Sequence, residues 1–143
     1  MGYNGKLDKN KRTRFAVIEE ANRLIQTGLD MFDALSEVEE SFENPFLSHI
    51  TLKIGIHTGR VVAGLIGTRL VKYDVFGEGV LITYKTCKSA PEGSLLISEE
   101  TMRTICEEEE IRKHYVIDQA NQISVVQIGQ LLNLFKVSGK NIE

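Results

Sequence analysis

The sequence predicts an α+β fold in which helices pack on one face of a mainly antiparallel sheet. Three observations support this class. Apolar residues recur every three or four positions from Arg14 to about Glu40, which is typical of a long amphipathic helix. They then alternate with period two on both sides of His57-Thr58-Gly59, as in a β-hairpin. Further strand and helix patterns follow in turn to the end of the chain.

The long helix is the first predicted element. Its apolar stripe is formed by Phe15, Ile18, Ala21, Ile25, Leu29, Phe32 and Leu35. Thr13 is a suitable N-cap, and Asn44-Pro45 should end the helix because proline disfavours the α conformation in the residue before it. We expect the stripe to pack against the sheet.

The middle of the chain is predicted to form strands and a short helix. A hairpin is expected from Ile50 to Ile66, and a further strand from Val71 to Phe76. The segment from Glu78 to Lys88 suits a short helix, which Ala90-Pro91-Glu92-Gly93 would close.

The last third of the chain begins with Ser94 to Ile97, an apolar run of the buried-strand type. Ser98 is placed to cap a helix whose first turn carries Glu99 and Glu100, the charge that the helix dipole favours there. Three closing strands are predicted, around Tyr115 to Ile117, Ile123 to Val126 and Leu131 to Val137.

Length and composition limit the classes of function. The 143 residues suit a single domain, with a polar segment at 1–13 and a core at 14–137. The net charge of -3 argues against a nucleic-acid-binding surface. Cys87 and Cys106 fit neither a disulfide framework nor a zinc site, which indicates a reducing compartment. No segment approaches the ~20 consecutive apolar residues of a membrane span. We therefore expect a cytoplasmic location, and the cytosolic domain of a membrane protein would satisfy this expectation.

Candidate site residues cluster around the predicted hairpin. Tyr73-Asp74-Val75-Phe76-Gly77 places one carboxylate between two aromatic residues at a strand end. His57 is either a catalytic group or, as we prefer, a side chain that orders its turn through hydrogen bonds. Glu107 to Glu110 are interpreted as a solvated face and not as a metal site, because no second acidic cluster accompanies them.

The motifs of this region occur in a fixed order. IGIHTGRVVAGLIG, from Ile54 to Gly67, is followed by YDVFG and a short helix. This pattern resembles the signature of class III nucleotidyl cyclases, the catalytic domain of adenylyl and guanylyl cyclases. The resemblance extends from about Arg14 to Val137 and lacks the N-terminal part of the family. It implies a truncated ferredoxin-like core and conversion of ATP to cyclic AMP and pyrophosphate in intracellular signalling, with GTP to cyclic GMP as the second choice.

The resemblance also implies two magnesium or manganese ions held by two aspartates. Such ions lower the pKa of the attacking ribose hydroxyl and neutralise charge on the phosphates. Both aspartates belong to motifs that precede the long helix, so we expect the metal ligands to lie outside this chain. Asp8, Asp30 and Asp33 stand at the wrong places in the pattern to replace them.

The resemblance implies that Asp74, Val75 and Val80 contact the purine of the nucleotide substrate. An ionised carboxylate only accepts hydrogen bonds, so Asp74 should favour the 6-amino group of adenine over the carbonyl oxygen of guanine. The structural alternative is that Asp74 caps a turn before Gly77.

Three positions depart from the family. Its catalytic asparagine and its transition-state arginine align with Leu81 and Lys85, and its triphosphate-contacting lysine falls about at Ile128. Leu81 cannot hydrogen-bond, and Lys85 keeps the charge but loses the planar fork of arginine.

These departures suggest a domain that works with a second cyclase domain, in a homodimer or a pseudo-heterodimer. We interpret this chain as the half that resembles the metal-supplying one, inactive as an isolated fragment. The alternative is a catalytically degenerate module that dimerises with an active cyclase half and regulates it.

Overall fold

The computed structural model describes residues 9–41 and 50–140. Ten helices and strands follow one another within them: α1 Lys9–Ser41, β1 Lys53–Ile56, β2 Val62–Ile66, β3 Lys72–Phe76, α2 Glu78–Ser89, β4 Ser94–Ser98, α3 Glu99–Cys106, α4 Glu109–Arg112, β5 Tyr115–Val125 and β6 Gln130–Gly139. The 3-10 turn Val126–Ile128 joins β5 to β6. None of the helices in these ranges is long and apolar enough to cross a membrane.

The strands form two separate sheets. The larger sheet has the order β1-β4-β6-β5, and the smaller one consists of β2 and β3. β1 runs parallel to β4, whereas the pairs β4-β6 and β5-β6 are antiparallel. The predicted α+β class and the mainly antiparallel main sheet are therefore confirmed.

The predicted hairpin from Ile50 to Ile66 is wrong. β1 pairs with β4, and β2 pairs instead with β3, with Val62 opposite Phe76 and Ile66 opposite Lys72. Alternation of apolar residues indicates that a segment is a strand, but it does not identify the partner strand. The true hairpin, which we call the β2–β3 ribbon, turns after Gly67, whose positive φ of 118° favours glycine.

The long helix is confirmed, and it begins earlier than the sequence indicates. Thr13 lies inside α1, so its prediction as the N-cap is wrong. Ile18, Ala21 and Ile25 are buried as expected, but Phe15 is 53% exposed. The predicted stop at Asn44-Pro45 lies outside the described residues.

Gly28 sets the distance between α1 and the main sheet. A Cβ at this position would lie 2.5 Å from Leu95 Cδ1 and 3.3 Å from Ile54 Cδ1. The missing side chain therefore allows α1 to approach β1 and β4 closely.

Helices cover both faces of the main sheet, which differs from the expectation that they share one face. Leu95 and Ile97 of β4 face a cluster completed by Ala21, Ile25, Ile56, Ile105, Tyr115 and Val137, the α1-side cluster. Leu96 faces the opposite α2-side cluster with Ile82, Ala90, Ile123, Val125 and Leu134. A strand whose residues are apolar without alternation is buried on both faces.

β5 contributes to both clusters because of an irregularity in its pairing. The segments around Tyr115 and Ile123, predicted as two strands, are one strand. Its register against β6 shifts between Gln119 and Gln122, where β5 has one extra residue. Such a bulge reverses which face later side chains occupy. Tyr115 accordingly joins the α1-side cluster, and Ile123 joins the α2-side cluster.

The remaining predicted elements are confirmed with small changes of their ends. The strand before Gly77 is β3, the short helix is α2, and the apolar run is β4. Ser98 caps α3, since its side chain accepts a hydrogen bond from the Thr101 backbone N–H.

The acidic run from Glu107 to Glu110 lies near the surface, and two of its four carboxylates form ion pairs. Glu107 pairs with Arg14 of α1, and Glu110 pairs with Lys113 at 2.7 Å. These pairs fit the interpretation of the run as a solvated face.

Candidate functional site

An apolar cleft of about 390 Å³ opens between the β2–β3 ribbon and α2. Eight residues line it: His57, Gly59, Val61, Val75, Gly79, Val80, Thr83 and Tyr84. Val75 and Val80, two of the three residues predicted to contact the purine, therefore lie together. We refer to this space as the apolar cleft.

Two glycines position α2 against the ribbon. Gly77 lies between the last residue of β3 and the first residue of α2 and has a φ of 119°. Its carbonyl oxygen accepts a hydrogen bond from Val80 N–H at 3.2 Å, within the first turn of α2. Gly79 lies in the first turn, where a Cβ would be 3.0 Å from the carbonyl oxygen of Arg60. The missing side chain of Gly79 allows the first turn of α2 to approach Arg60 and Val61, and Val61, Val75 and Val80 all line the cleft.

Asp74 is placed differently from the two valines. It lies in the middle of β3, opposite Gly64, with its side chain exposed. Its Oδ1 accepts a hydrogen bond from the N–H of Val75 at 2.8 Å, so it bonds its neighbour instead of capping a turn before Gly77. Successive side chains of a strand point to opposite faces. The structure thus separates Asp74 from Val75 and Val80, and its contact with a purine stays a prediction.

Lys85 lies outside the apolar cleft. Its Nζ donates a hydrogen bond to the carbonyl oxygen of Ser124 at 2.9 Å, which ties α2 to β5. It lines a second space of about 400 Å³, the lysine cleft, with Tyr84, Lys88, Ser89, Gln122, Ile123 and Ser124. Its predicted catalytic role is not tested by this geometry.

Leu81 and Ile128 occupy the other two positions that depart from the family. Both are partly buried and pack against the α2-side cluster. The places where the resemblance implies an asparagine and a lysine are thus part of an apolar core in this chain.

His57 is held by a chain of hydrogen bonds. Its Nδ1 lies 2.7 Å from Ser98 Oγ, and Ser98 Oγ lies 3.3 Å from Thr101 Oγ1, which is itself 3.1 Å from Thr58 Oγ1. Burial lowers the pKa of His57, and the charge of Glu100 opposes this effect in part. The geometry supports the interpretation that His57 orders its loop, here by fixing the end of β1 to the start of α3.

The described residues contain no group of three or more histidine, cysteine, aspartate or glutamate side chains that could hold a metal ion. Asp30 and Asp33 are exposed on α1, and Asp8 lies outside the described residues. The donor set in this part of the chain therefore does not fit the two metal ions that the resemblance implies.

Thr83 and Tyr84 line the apolar cleft but were not predicted from the sequence. Helical spacing could have identified them in the sequence, because residues three and four positions after Val80 lie on the same face of α2 as Val80.

The chain is similar to proteins of one family. The family model described as the adenylate and guanylate cyclase catalytic domain matches residues 11–136. Adenylate cyclase type 9 of Gallus gallus is 26% identical over 119 residues, which cover 83% of this chain and 9% of that protein. The membrane guanylyl cyclase of Dictyostelium discoideum is 28% identical over 87 residues, which cover 61% of this chain and 6% of that protein.

A solved structure has the same fold. The adenylyl cyclase CyaB from P. aeruginosa superposes with a TM-score of 0.71 at 19% identity, over 88% of this chain and 62% of that chain. The chain therefore spans less than two thirds of this structure and only a small part of the curated relatives.

Proposed function

Because the chain belongs to the adenylate and guanylate cyclase catalytic domain family, we propose that it is one half of a two-domain site that converts ATP to cyclic AMP and pyrophosphate. The observation that carries this proposal is the apolar cleft, whose wall includes both Val75 and Val80. Residues 14–137 would act as a single partial domain, and a second cyclase domain would complete the site, in a homodimer or a pseudo-heterodimer. The reaction would serve intracellular signalling in the cytosol.

The apolar cleft suits a purine ring in size and character. Ligand sites are largely apolar, with a few polar groups that fix the orientation of the ligand. Val75 and Val80 would contact the faces of the ring. Asp74 lies on the opposite face of β3 from Val75, so the ribbon would have to turn when the second domain binds for Asp74 Oδ2 to accept a hydrogen bond from the 6-amino group. This contact favours ATP as the substrate. The second choice is GTP, which would be converted to cyclic GMP.

The metal ions of the reaction do not fit the residues that the structure describes. When bound in a complete site, such ions activate the ribose 3'-hydroxyl and neutralise phosphate charge. Their ligands would come from outside the described residues. The described residues themselves would then bind and orient the base.

A regulatory module is the second candidate, favoured by the apolar packing of Leu81 and Ile128. Lys85 supports it further, because its ammonium group is engaged with the Ser124 carbonyl oxygen. In that case the chain would pair with an active cyclase half and control it without contributing to the chemistry.

The deciding experiment measures cyclic AMP and cyclic GMP from manganese-ATP and manganese-GTP. It uses the longest natural form of the polypeptide that contains this chain, alone and mixed with a second cyclase domain. We expect cyclic AMP from the pair and none from the isolated 143 residues.

Asp74→Ala tests the purine contact within that experiment. We expect it to reduce cyclic AMP formation about 10- to 150-fold, because loss of a hydrogen bond to a charged group costs about 1.5–3 kcal/mol. Lys72→Ala changes an exposed residue two positions earlier in β3 and is the matched control. No cyclic nucleotide from any pairing would favour the regulatory module, and product from the isolated chain would contradict the assignment as a half site.

A further inference from the structure

Four apolar side chains form an open row along α1. They follow one another at seven-residue intervals and are Val17, Leu24, Met31 and Val38. Each is between 40% and 54% exposed. Seven residues are almost two turns of an α-helix, so the four lie in one line that drifts only about 20° per interval. This α1 row has the spacing of a helix that packs along a second helix.

β1 forms an outer edge of the main sheet. It pairs with β4 on one side, and along its other side lies no strand of the ranges 9–41 and 50–140. Ile54 of β1 packs against the α1-side cluster but is only partly buried, as expected at an edge. The N–H and C=O groups along such an edge can bond a further strand.

The α1 row overhangs this edge. A Cβ at Gly28 would lie 3.3 Å from Ile54 Cδ1, so Gly28 faces β1. A Cβ at Gly139 of β6 would lie 3.8 Å from Leu29 Cδ1, so Leu29 marks the β6 side of α1. Successive residues of an α-helix are about 100° apart, which turns the row residues four positions before and three positions after Gly28 still further from Leu29. The open row and the open edge therefore share one side of the domain.

One two-fold axis would serve both features. The α1 row is symmetric about residues 27 and 28, so an antiparallel second copy places its Met31 opposite Leu24, and the outer two members pair likewise. Gly28 lies over Ile54, within the four-residue strand β1. An axis at this point makes the two helices and the two β1 strands antiparallel at once.

The spacing of strands and helices allows this contact. Gly28 faces both Ile54 of β1 and Leu95 of β4, so α1 lies over the space between these strands. Strands are about 4.8 Å apart, so pairing of β1 with its copy leaves the two helices about 10 Å apart, a normal packing distance. Residues 14–41 of the two helices overlap over about 42 Å and a width of about 10 Å. With the β1 edges added, the total buried area approaches about 1,000 Å², at the lower end for specific interfaces.

The charges of α1 complement one another in the antiparallel arrangement. Residues 9–14 include four basic residues and no acidic one, whereas residues 33–41 include four acidic residues and no basic one. Arg23 and Asp30 are both exposed on the outer flank of the α1 row. They are seven positions apart, about 10 Å along one helix, so they do not meet within a copy. With Leu24 opposite Met31 of the second copy, Arg23 comes close to Asp30 of the second copy.

We propose that α1 and β1 form a docking surface, separate from the β2–β3 ribbon, that binds a second copy of this chain about a two-fold axis near Ile54. The two α1 rows pack antiparallel, and β1 pairs with β1 of the second copy, which joins two four-stranded sheets into one. The inference does not rest on the proposed function, because the α1 row and β1 contribute no residue to the apolar cleft.

The test is sedimentation velocity of the 143-residue chain over a range of micromolar concentrations, where we expect a monomer–dimer equilibrium. Leu24→Glu should weaken the dimer at least about a hundredfold, because it buries two like charges in an apolar row. Leu65→Glu makes the same change on the ribbon and should leave the dimer intact. Arg23→Glu should weaken it about fivefold, and Arg23→Glu with Asp30→Arg should restore it. Circular dichroism establishes that each variant is folded.

Cysteine cross-linking tests the antiparallel register. Thr27 lies beside the axis, so Thr27→Cys should form a disulfide with its copy under mild oxidation. Val38→Cys should not, because its copy is about 32 Å away along the helix pair. The parent is the control for cross-links through Cys87 and Cys106. Amide hydrogen exchange of residues 53–56 should be slower in the dimer than in the monomer.

Four results overturn the proposal: a monomer at every concentration, a dimer that Leu65→Glu dissociates and Leu24→Glu does not, equal cross-linking of Thr27→Cys and Val38→Cys, or equal amide exchange in β1 of monomer and dimer. A longer natural form of the polypeptide tests the other occupant. If it is monomeric where the 143 residues dimerise, its own additional residues cover the surface and the assignment to a second copy is wrong.

Discussion

β3 and β4 are both five-residue strands, but the molecule uses them in opposite ways. Every residue of β4 is buried, whereas every residue of β3 is exposed. β4 lies between β1 and β6, with helices over both of its faces, and β3 pairs with β2 alone among the strands that the structure describes. The difference follows from the neighbours of each strand, and it agrees with composition, because β3 contains Lys72 and Asp74 whereas β4 contains no charged residue.

The comparison separates the part of the chain that provides stability from the part that is available for binding. Val62, Leu65 and Tyr73 of the ribbon are 70%, 73% and 70% exposed, so much of its apolar surface is open. Contiguous exposed apolar surface marks interaction sites in soluble proteins. The ribbon is accordingly the surface that we expect a second cyclase domain to contact.

The largest expected effect compares two leucines. Leu96→Ala removes a side chain that is fully buried in the α2-side cluster, and should lower the free energy of unfolding by about 2–5 kcal/mol. Leu65→Ala makes the same chemical change on the ribbon, where we expect less than about 0.5 kcal/mol. Urea unfolding of both variants measures the contrast, and equal losses would show that the ribbon belongs to the cooperative core.

A smaller contrast concerns two glycines. A Cβ at Gly55 would overlap the backbone nitrogen of Cys87, so α2 would have to move away from β1 in Gly55→Ala. Overpacking of this kind costs about 1–3 kcal/mol. At Gly64 of the ribbon, a Cβ would meet no heavy atom within 4 Å, and Gly64→Ala should change stability by less than about 0.5 kcal/mol. Thermal unfolding would contradict the comparison if both variants lost the same stability.

The sequence predicted the elements of the fold better than their partners. The stripe from Ile18 to Phe32 identified α1, and the apolar run after Ser94 identified β4. The pairing of β1 with β4 joins segments about forty residues apart, and no local period contains that information. The β5 bulge was missed for the same reason, because it depends on the register against β6.

The site was predicted in part. The motif resemblance selected Val75 and Val80, which line one cleft, and Asp74, which faces away from it. Thr83 and Tyr84 have no counterpart among the motif residues, although their spacing from Val80 follows from helical geometry alone. A residue-by-residue transfer of family roles finds inherited contacts and misses positions where this chain differs.

The smallest expected effect concerns His57, which lies where the core meets the apolar cleft. Burial lowers the pKa of its imidazole below the usual 6.5, so the unfolded chain binds more protons than the folded chain near that pH. The contribution of neutral His57 to the free energy of unfolding should therefore be fully present above about pH 6.5. It should decrease as the pH falls toward the lower pKa of the folded state. The pKa values of Glu107 and Glu110 are lowered from 4.5, so their contributions are lost only at more acid pH. Urea midpoints at about pH 7.5 and 5.5 should differ less in His57→Gln than in the parent, and an unchanged difference would show that His57 titrates alike in both states.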